Sequence, residues 1–169
     1  MGCGRDSVGG GMRDKGCVCE VVRAILEIQN QATHDDCSSC TTNCFLEPLG
    51  GIVSPARKSA DTRVFTLLTK TGKPFMATLS SDDYPEVYTS IYFRVEDIFD
   101  DCCATLRVLV PLTEDEEEVN LLSDCGTQID LHGVCHVKKF ATSNSCVTVD
   151  LNCFCAVQCI ADVDLCICN

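Results

Sequence analysis

The chain has no tryptophan, and only 6% of its 169 residues are aromatic. Stacking platforms for bases or sugars are built from such rings, so that class of binding is not expected. Basic residues are scarce too: 13 Lys and Arg stand against 25 Asp and Glu, a formal net charge of -12. A field of that sign repels a polyanion, and no nucleic-acid partner is expected. No apolar run approaches the roughly 18 residues of a membrane span, so no membrane partner is expected either. The opening MGCGRDSVGGGMRDKGC lacks the apolar stretch of a secretory signal. It also departs from an N-myristoylation site, which asks for Ser or Thr where Asp6 stands. Neither a dinucleotide fingerprint nor a phosphate-binding loop occurs.

Cysteine, by contrast, is abundant: there are 16. With 46% hydrophobic residues, a chain of this length forms one domain, or two small ones, with a core of its own. The core does not require covalent staples. Disulfides normally belong to exported proteins, and a cysteine-rich chain without a signal peptide conflicts with that rule. Either the thiols stay reduced, or the protein meets an oxidising environment without being secreted.

Residues 1–16 are rich in glycine and charge and read as a flexible arm bearing Cys3. Val18, Val21, Val22, Ile25 and Ile28 then recur at helical spacing, which predicts an amphipathic helix over 17–33. The region 34–62 contains HDDCSSCTTNC, with Cys37, Cys40 and Cys44, and reads as a polar loop. From Arg63 to Ile160 the pattern is one of strands. RVFTLLT and PFMATL flank KTGK, a hairpin signal with Gly72 at the turn. In SIYFRVEDIFDDCCATLRVLV, alternation places Ile91, Phe93, Val95 and Phe99 on one face and Ala104, Leu106, Val108 and Val110 on the matching face of the next strand. With Asp100 and Asp101 at the turn, Phe99 is expected opposite Cys102. Arg94, Glu96 and Arg107 then form an outward cross-strand charge cluster. TEDEEEVN, 113–120, reads as a solvated acidic loop without EF-hand spacing. CVTVDLNCFCAVQC, 146–159, reads as one long strand with Val147, Val149, Leu151, Cys153, Cys155, Val157 and Cys159 on its inward face. ADVDLCICN, 161–169, is expected as a short tail. The fold class that follows is mainly β: an antiparallel β-sandwich with an N-terminal amphipathic helix and flexible Cys-bearing tails.

The cysteines permit only some chemistries. C-x-C occurs at Cys17/Cys19, Cys153/Cys155 and Cys166/Cys168. Two positions apart in a strand is about 6.6–6.8 Å, at the edge of what a disulfide spans. Adjacent Cys102 and Cys103 face opposite ways in a strand. Most thiols therefore need partners on another strand, an arm or another molecule. C37-S-S-C40 has the spacing of half a zinc site, with Cys166/Cys168 or His132 and His136 as a conceivable second half. The usual paired motif is missing, and neither a metal nor another cofactor is expected. A zinc-binding adaptor stands as the alternative reading, and a thiol redox protein as a weaker one. His34, His132 and His136 lie in loop-like segments without a catalytic arrangement, and no enzyme activity is expected.

IYFRVEDIFDDCCATLRVL followed by CVTVDLNCFCAVQC resembles the spore coat protein Y/Z family of Bacillus-type endospore formers. The short Gly/Cys opening, the C-V-C-E-V-V helix and the Cys-rich loop extend the likeness over most of the chain. The resemblance implies a structural protein made in the mother cell without export. It implies assembly around the forespore into a hexagonal two-dimensional layer, as outer coat, crust or exosporium basal layer, cross-linked by disulfides. The partners so implied are the chain itself, as hexamers and their lateral lattice, and other coat or exosporium proteins. On this reading the mobile thiols Cys3, Cys17, Cys19, Cys37, Cys40, Cys44, Cys166 and Cys168 are candidates for links between subunits. Cys102, Cys103, Cys146, Cys153, Cys155 and Cys159 are candidates for the core or for links within the chain.

Overall fold

The computed structural model describes residues 16–36, 60–80, 87–123 and 126–167. The chain is mainly β and antiparallel, with one long N-terminal helix. Helix α1 spans Cys17–Asp36. Seven strands follow: β1 Thr62–Thr69, β2 Ala77–Ser80, β3 Val87–Ser90, β4 Phe93–Phe99, β5 Cys103–Leu112, β6 Lys139–Asp150 and β7 Phe154–Val163. A short helix α2, Leu131–His136, precedes β6, and a 3-10 turn, Leu151–Cys153, separates β6 from β7. Five strands form one sheet in the order β6-β5-β4-β1-β7; β2 and β3 form a second, two-stranded sheet.

One core lies on the face of the large sheet formed by Phe65, Leu67, Phe93, Val95, Ala104, Leu106 and Val108. Its cover is composite: Val18, Cys19, Val22 and Ile25 come from α1, and Leu79 comes from β2. The layer opposite the sheet is thus part helix and part hairpin. The apolar stripe expected on the helix divides accordingly. Val18, Val22 and Ile25 are buried, whereas Val21 and Ile28 stay 40% and 46% exposed. Consecutive strand residues point to opposite faces, so Val64 and Leu109 feed a second core with Leu121 and Val119. Val119, Leu121, Ile129, Val134, Val137 and Phe140 cover that side, and Tyr92 meets Phe140 edge to face.

The expected β1 hairpin closes differently. Gly72 does sit at the turn, at φ +77, where glycine carries no Cβ penalty. Yet β1 already has β4 and β7 as neighbours. The returning chain touches it at the single bridge Leu68–Pro74 and leaves to pair with β3. Phe99 faces Cys103, not Cys102. A bulge between Val95 and Asp97 inserts Glu96, which turns Ile98 toward the core and leaves Phe99 41% exposed.

β1 and β4 share one register pair, Phe65 and Phe93, and side chains bridge the gap beyond it. Gln29 of α1 donates from Nε2 to the Val95 carbonyl at 2.8 Å and accepts the Arg63 N–H at Oε1 at 3.1 Å. Arg94 donates to the Asp61 carbonyl at 2.8 Å and to the Thr62 hydroxyl. The expected charge cluster exists, with Glu96 between Arg94 and Arg107. Arg94 is not outward, however: it is 1% exposed, because it performs this bridging. No described helix is long and apolar enough to cross a membrane.

Candidate cross-linking thiols

Two adjacent cysteines meet different fates at the turn between β4 and β5. Asp100 and Cys102 both have positive φ, +49 and +80. Asp tolerates the left-handed region, and the turn carries Cys102 back beneath α1. There it bonds to Cys19, with Cα atoms 5.7 Å apart and a sequence separation of 83. Leu151 N–H donates to the Cys102 carbonyl at 2.9 Å, which ties the 3-10 turn to the same point. Cys103 begins β5, half-buried and unbonded.

The stretch 146–159 is not one strand. Asp150 accepts the Asn152 N–H at 2.9 Å and caps the 3-10 turn, so the chain reverses between β6 and β7. The two-residue alternation is broken there, and the expected inward row of cysteines does not form. Cys146, Cys153, Cys155 and Cys159 are all exposed and free. Cys146 stands opposite Arg107 on β6, and the Cys155 thiol donates to the Thr69 carbonyl at 3.0 Å. Cys159 lies by Arg63 on β7, where Arg63 and Asp162 pair at 2.7 Å. The hydrogen bond from Arg63 holds the Asp162 carboxyl below its ordinary range, and burial opposes that shift.

Helix α2 adds a thiol that the sequence pattern did not flag. Asp130 caps it by accepting the N–H groups of His132 and Gly133. Gly133 is required by space, since a Cβ there would lie 2.9 Å from the Asn120 carbonyl oxygen. Cys135 is exposed on this helix, close to Tyr92, whose hydroxyl is pushed up first by burial and then by that thiol. Six residues are too few for periodicity to reveal such a helix; the signal was Asp130 two residues before an H-x-x-C-H run. The rings of His132 and His136 lie with centroids 4.5 Å apart and planes tilted by 55°. Among the described residues, no three His, Cys, Asp or Glu side chains converge as a metal site.

A family model described as spore coat protein Z matches residues 1–162. The chain belongs to the spore coat protein Z family. It is 30% identical over 146 residues to spore coat protein Z of Bacillus subtilis (strain 168), an alignment that covers 85% of this chain and 88% of that protein. No solved structure matches. Membership gives the chain a structural role in the spore coat.

In this coat protein the two candidate sets of cysteines exchange members. Cys19, expected to link subunits, is fully buried and bonded within the chain, because it stands on the core-facing side of α1. Cys102 is its partner. Cys146, Cys153, Cys155 and Cys159, expected to brace the core, lie on the surface for the reasons just given. Cys17, in the first turn of α1, is exposed and free. Cys166 is exposed too, but not on a loose tail. β7 runs to Val163, and the buried Asp61 carboxylate then accepts the N–H groups of Leu165 and Ile167 at 3.0 and 2.6 Å. Cys3, Cys37, Cys40, Cys44, Cys125 and Cys168 lie outside the described residues.

Proposed function

We propose that this coat protein self-assembles into a two-dimensional lattice, hexagonal in symmetry, that inter-subunit disulfides reinforce. One observation carries the reading. Cys17, Cys135, Cys146, Cys153, Cys155 and Cys159 all present free thiols at the surface, while the Cys19–Cys102 bond is buried in the core. A protein stabilised by its own cross-links has the opposite distribution. Surface thiols are positioned for a neighbour, and a bond between subunits prevents dissociation until it is reduced.

The proposal includes synthesis in the mother cell, where thiols stay reduced, and oxidation after the lattice has set partners side by side. It places the protein in the outer coat, crust or exosporium basal layer, in contact with copies of itself and with other coat proteins. The role is structural and not catalytic. Electron microscopy of the purified protein, with and without reductant, tests it. Ordered sheets support the reading, and a protein that remains monomeric at high concentration in oxidising buffer overturns it.

A further inference from the structure

The large sheet ends in β6 on one side and β7 on the other. Among the described residues, no strand pairs with the outer side of either. Open edges are normally guarded by Lys, Pro or charge. β6 begins with Lys139 beside Lys138, and it is interrupted by an excursion at Ser143–Ser145, where the Ser143 hydroxyl donates to the Val108 carbonyl. β7 has no such guard from Phe154 to Ala161: FCAVQCIA contains no charge and no proline. In a chain of net charge -12, this uncharged strip is where two copies approach with least repulsion.

The strip is also self-complementary in thiols. Cys155 and Cys159 stand two residues to either side of Val157, and both are exposed and free. They cannot bond to each other within β7, since four strand positions span about 13 Å. The register shifts against β1 fall at Cys155 and Ile160, so the run between them is regular.

Building on the self-assembly reading above, we propose that β7 pairs with β7 of a second copy, antiparallel about a two-fold axis at Val157. Cys155 of each chain then faces Cys159 of the other. Facing residues in antiparallel strands have Cα atoms about 4.5–5.5 Å apart, within the roughly 4.4–6.8 Å of a disulfide. Two symmetric links result. Each forms one S–S bond from two S–H groups. The two electrons and two protons pass to a small-molecule disulfide, which leaves as two thiols. The contact is isologous and closes on itself, so it joins pairs of subunits and leaves other surfaces to extend the lattice.

The test uses a full-length chain that keeps Cys19, Cys102, Cys155 and Cys159, with every other cysteine changed to Ser, exposed to oxidised glutathione. The expected product is a covalent dimer on a non-reducing gel that reverts to monomer with dithiothreitol. Adding either Cys155→Ser or Cys159→Ser abolishes it. A dimer that survives with one of these thiols alone overturns the register. If the Ser-rich chain does not show the wild-type circular dichroism spectrum, disulfide mapping of unmodified assemblies decides instead. A linked pair of peptides containing Cys155 and Cys159 supports the proposal. Sheets without that pair overturn it and leave self-assembly intact, whereas a wild-type chain that forms no assembly overturns both.

Discussion

The bond between Cys19 and Cys102 fastens the first turn of α1 to the turn joining β4 and β5. It closes a loop of 83 residues over a core that α1 covers through only a few apolar side chains. In the chain-entropy description, a loop of that length restricts the unfolded ensemble by about 4 kcal/mol. The Cys19→Ala/Cys102→Ala double variant is therefore expected to keep its circular dichroism spectrum and to melt about 10 °C lower. Calorimetry against wild type checks this. An unchanged melting temperature in oxidising buffer would show that the bond does not constrain the folded chain in solution.

The surface thiols are expected to behave otherwise. Because Cys153 and Cys155 are exposed, replacing them by Ser leaves no hydroxyl without a hydrogen-bond partner, and the expected stability change is within about 0.5 kcal/mol. Alternation alone places both positions on an inward face; their exposure in the folded chain is what makes the substitution mild. Urea unfolding of the double Ser variant measures the difference. A loss of several kcal/mol contradicts the surface placement.

Gln29 makes a second, non-covalent clasp between the helix and the sheet. Its amide satisfies the Arg63 N–H and the Val95 carbonyl where β1 and β4 part. Gln29→Ala leaves both backbone groups buried without that partner, at an expected cost of about 1–3 kcal/mol. Hydrogen exchange at the Arg63 amide is expected to speed up, while amides in the well-paired β5–β6 ladder change only by the global loss. Exchange that is uniform across the sheet contradicts a local bridging role.

Acid is expected to weaken the anchoring of β7. The folded state holds the Asp162 carboxyl low, first through its hydrogen bond with Arg63. A depressed carboxylate contributes stability that is present above its unfolded pKa, near 4, and is lost as pH falls through the lower folded value. Both partners are partly exposed, so solvent screening limits the effect to about 0.2–1 kcal/mol. Asp162→Asn is expected to remove that part of the pH dependence below about pH 4. Denaturant midpoints for both chains over that range check it.

The mainly β, antiparallel character and the N-terminal helix were legible because alternation and helical spacing are long-range patterns in the sequence. The fate of individual cysteines was not. One inserted residue, Glu96, inverts the faces after Val95, and one cap, Asp150, ends a strand that the pattern continues. Alternation registers neither event, since the residue types on either side are unchanged. Cys19 and Cys17 differ by a half-turn of α1, and which side faces the sheet depends on Cys102 being brought beneath it by a positive-φ turn. Cys135 sits on a helix too short to show a period.

Removal of metal is expected to change nothing in the fold. A chelator should leave the unfolding midpoint in place, and elemental analysis after gentle purification should find far less than one zinc per chain. Stoichiometric zinc, with loss of structure on chelation, would favour the adaptor reading, with Cys37 and Cys40 as the first ligands to mutate.

The central claim is that assembly comes first and disulfides then lock it. It is tested most directly by electron microscopy of the wild-type protein purified with dithiothreitol, then divided into reduced and oxidised halves and boiled in detergent. The expected result is ordered hexagonal sheets in both halves before boiling, and sheets or high multimers surviving only in the oxidised half. Dispersed monomers in both halves before boiling, or sheets that resist boiling equally with and without reductant, would contradict it.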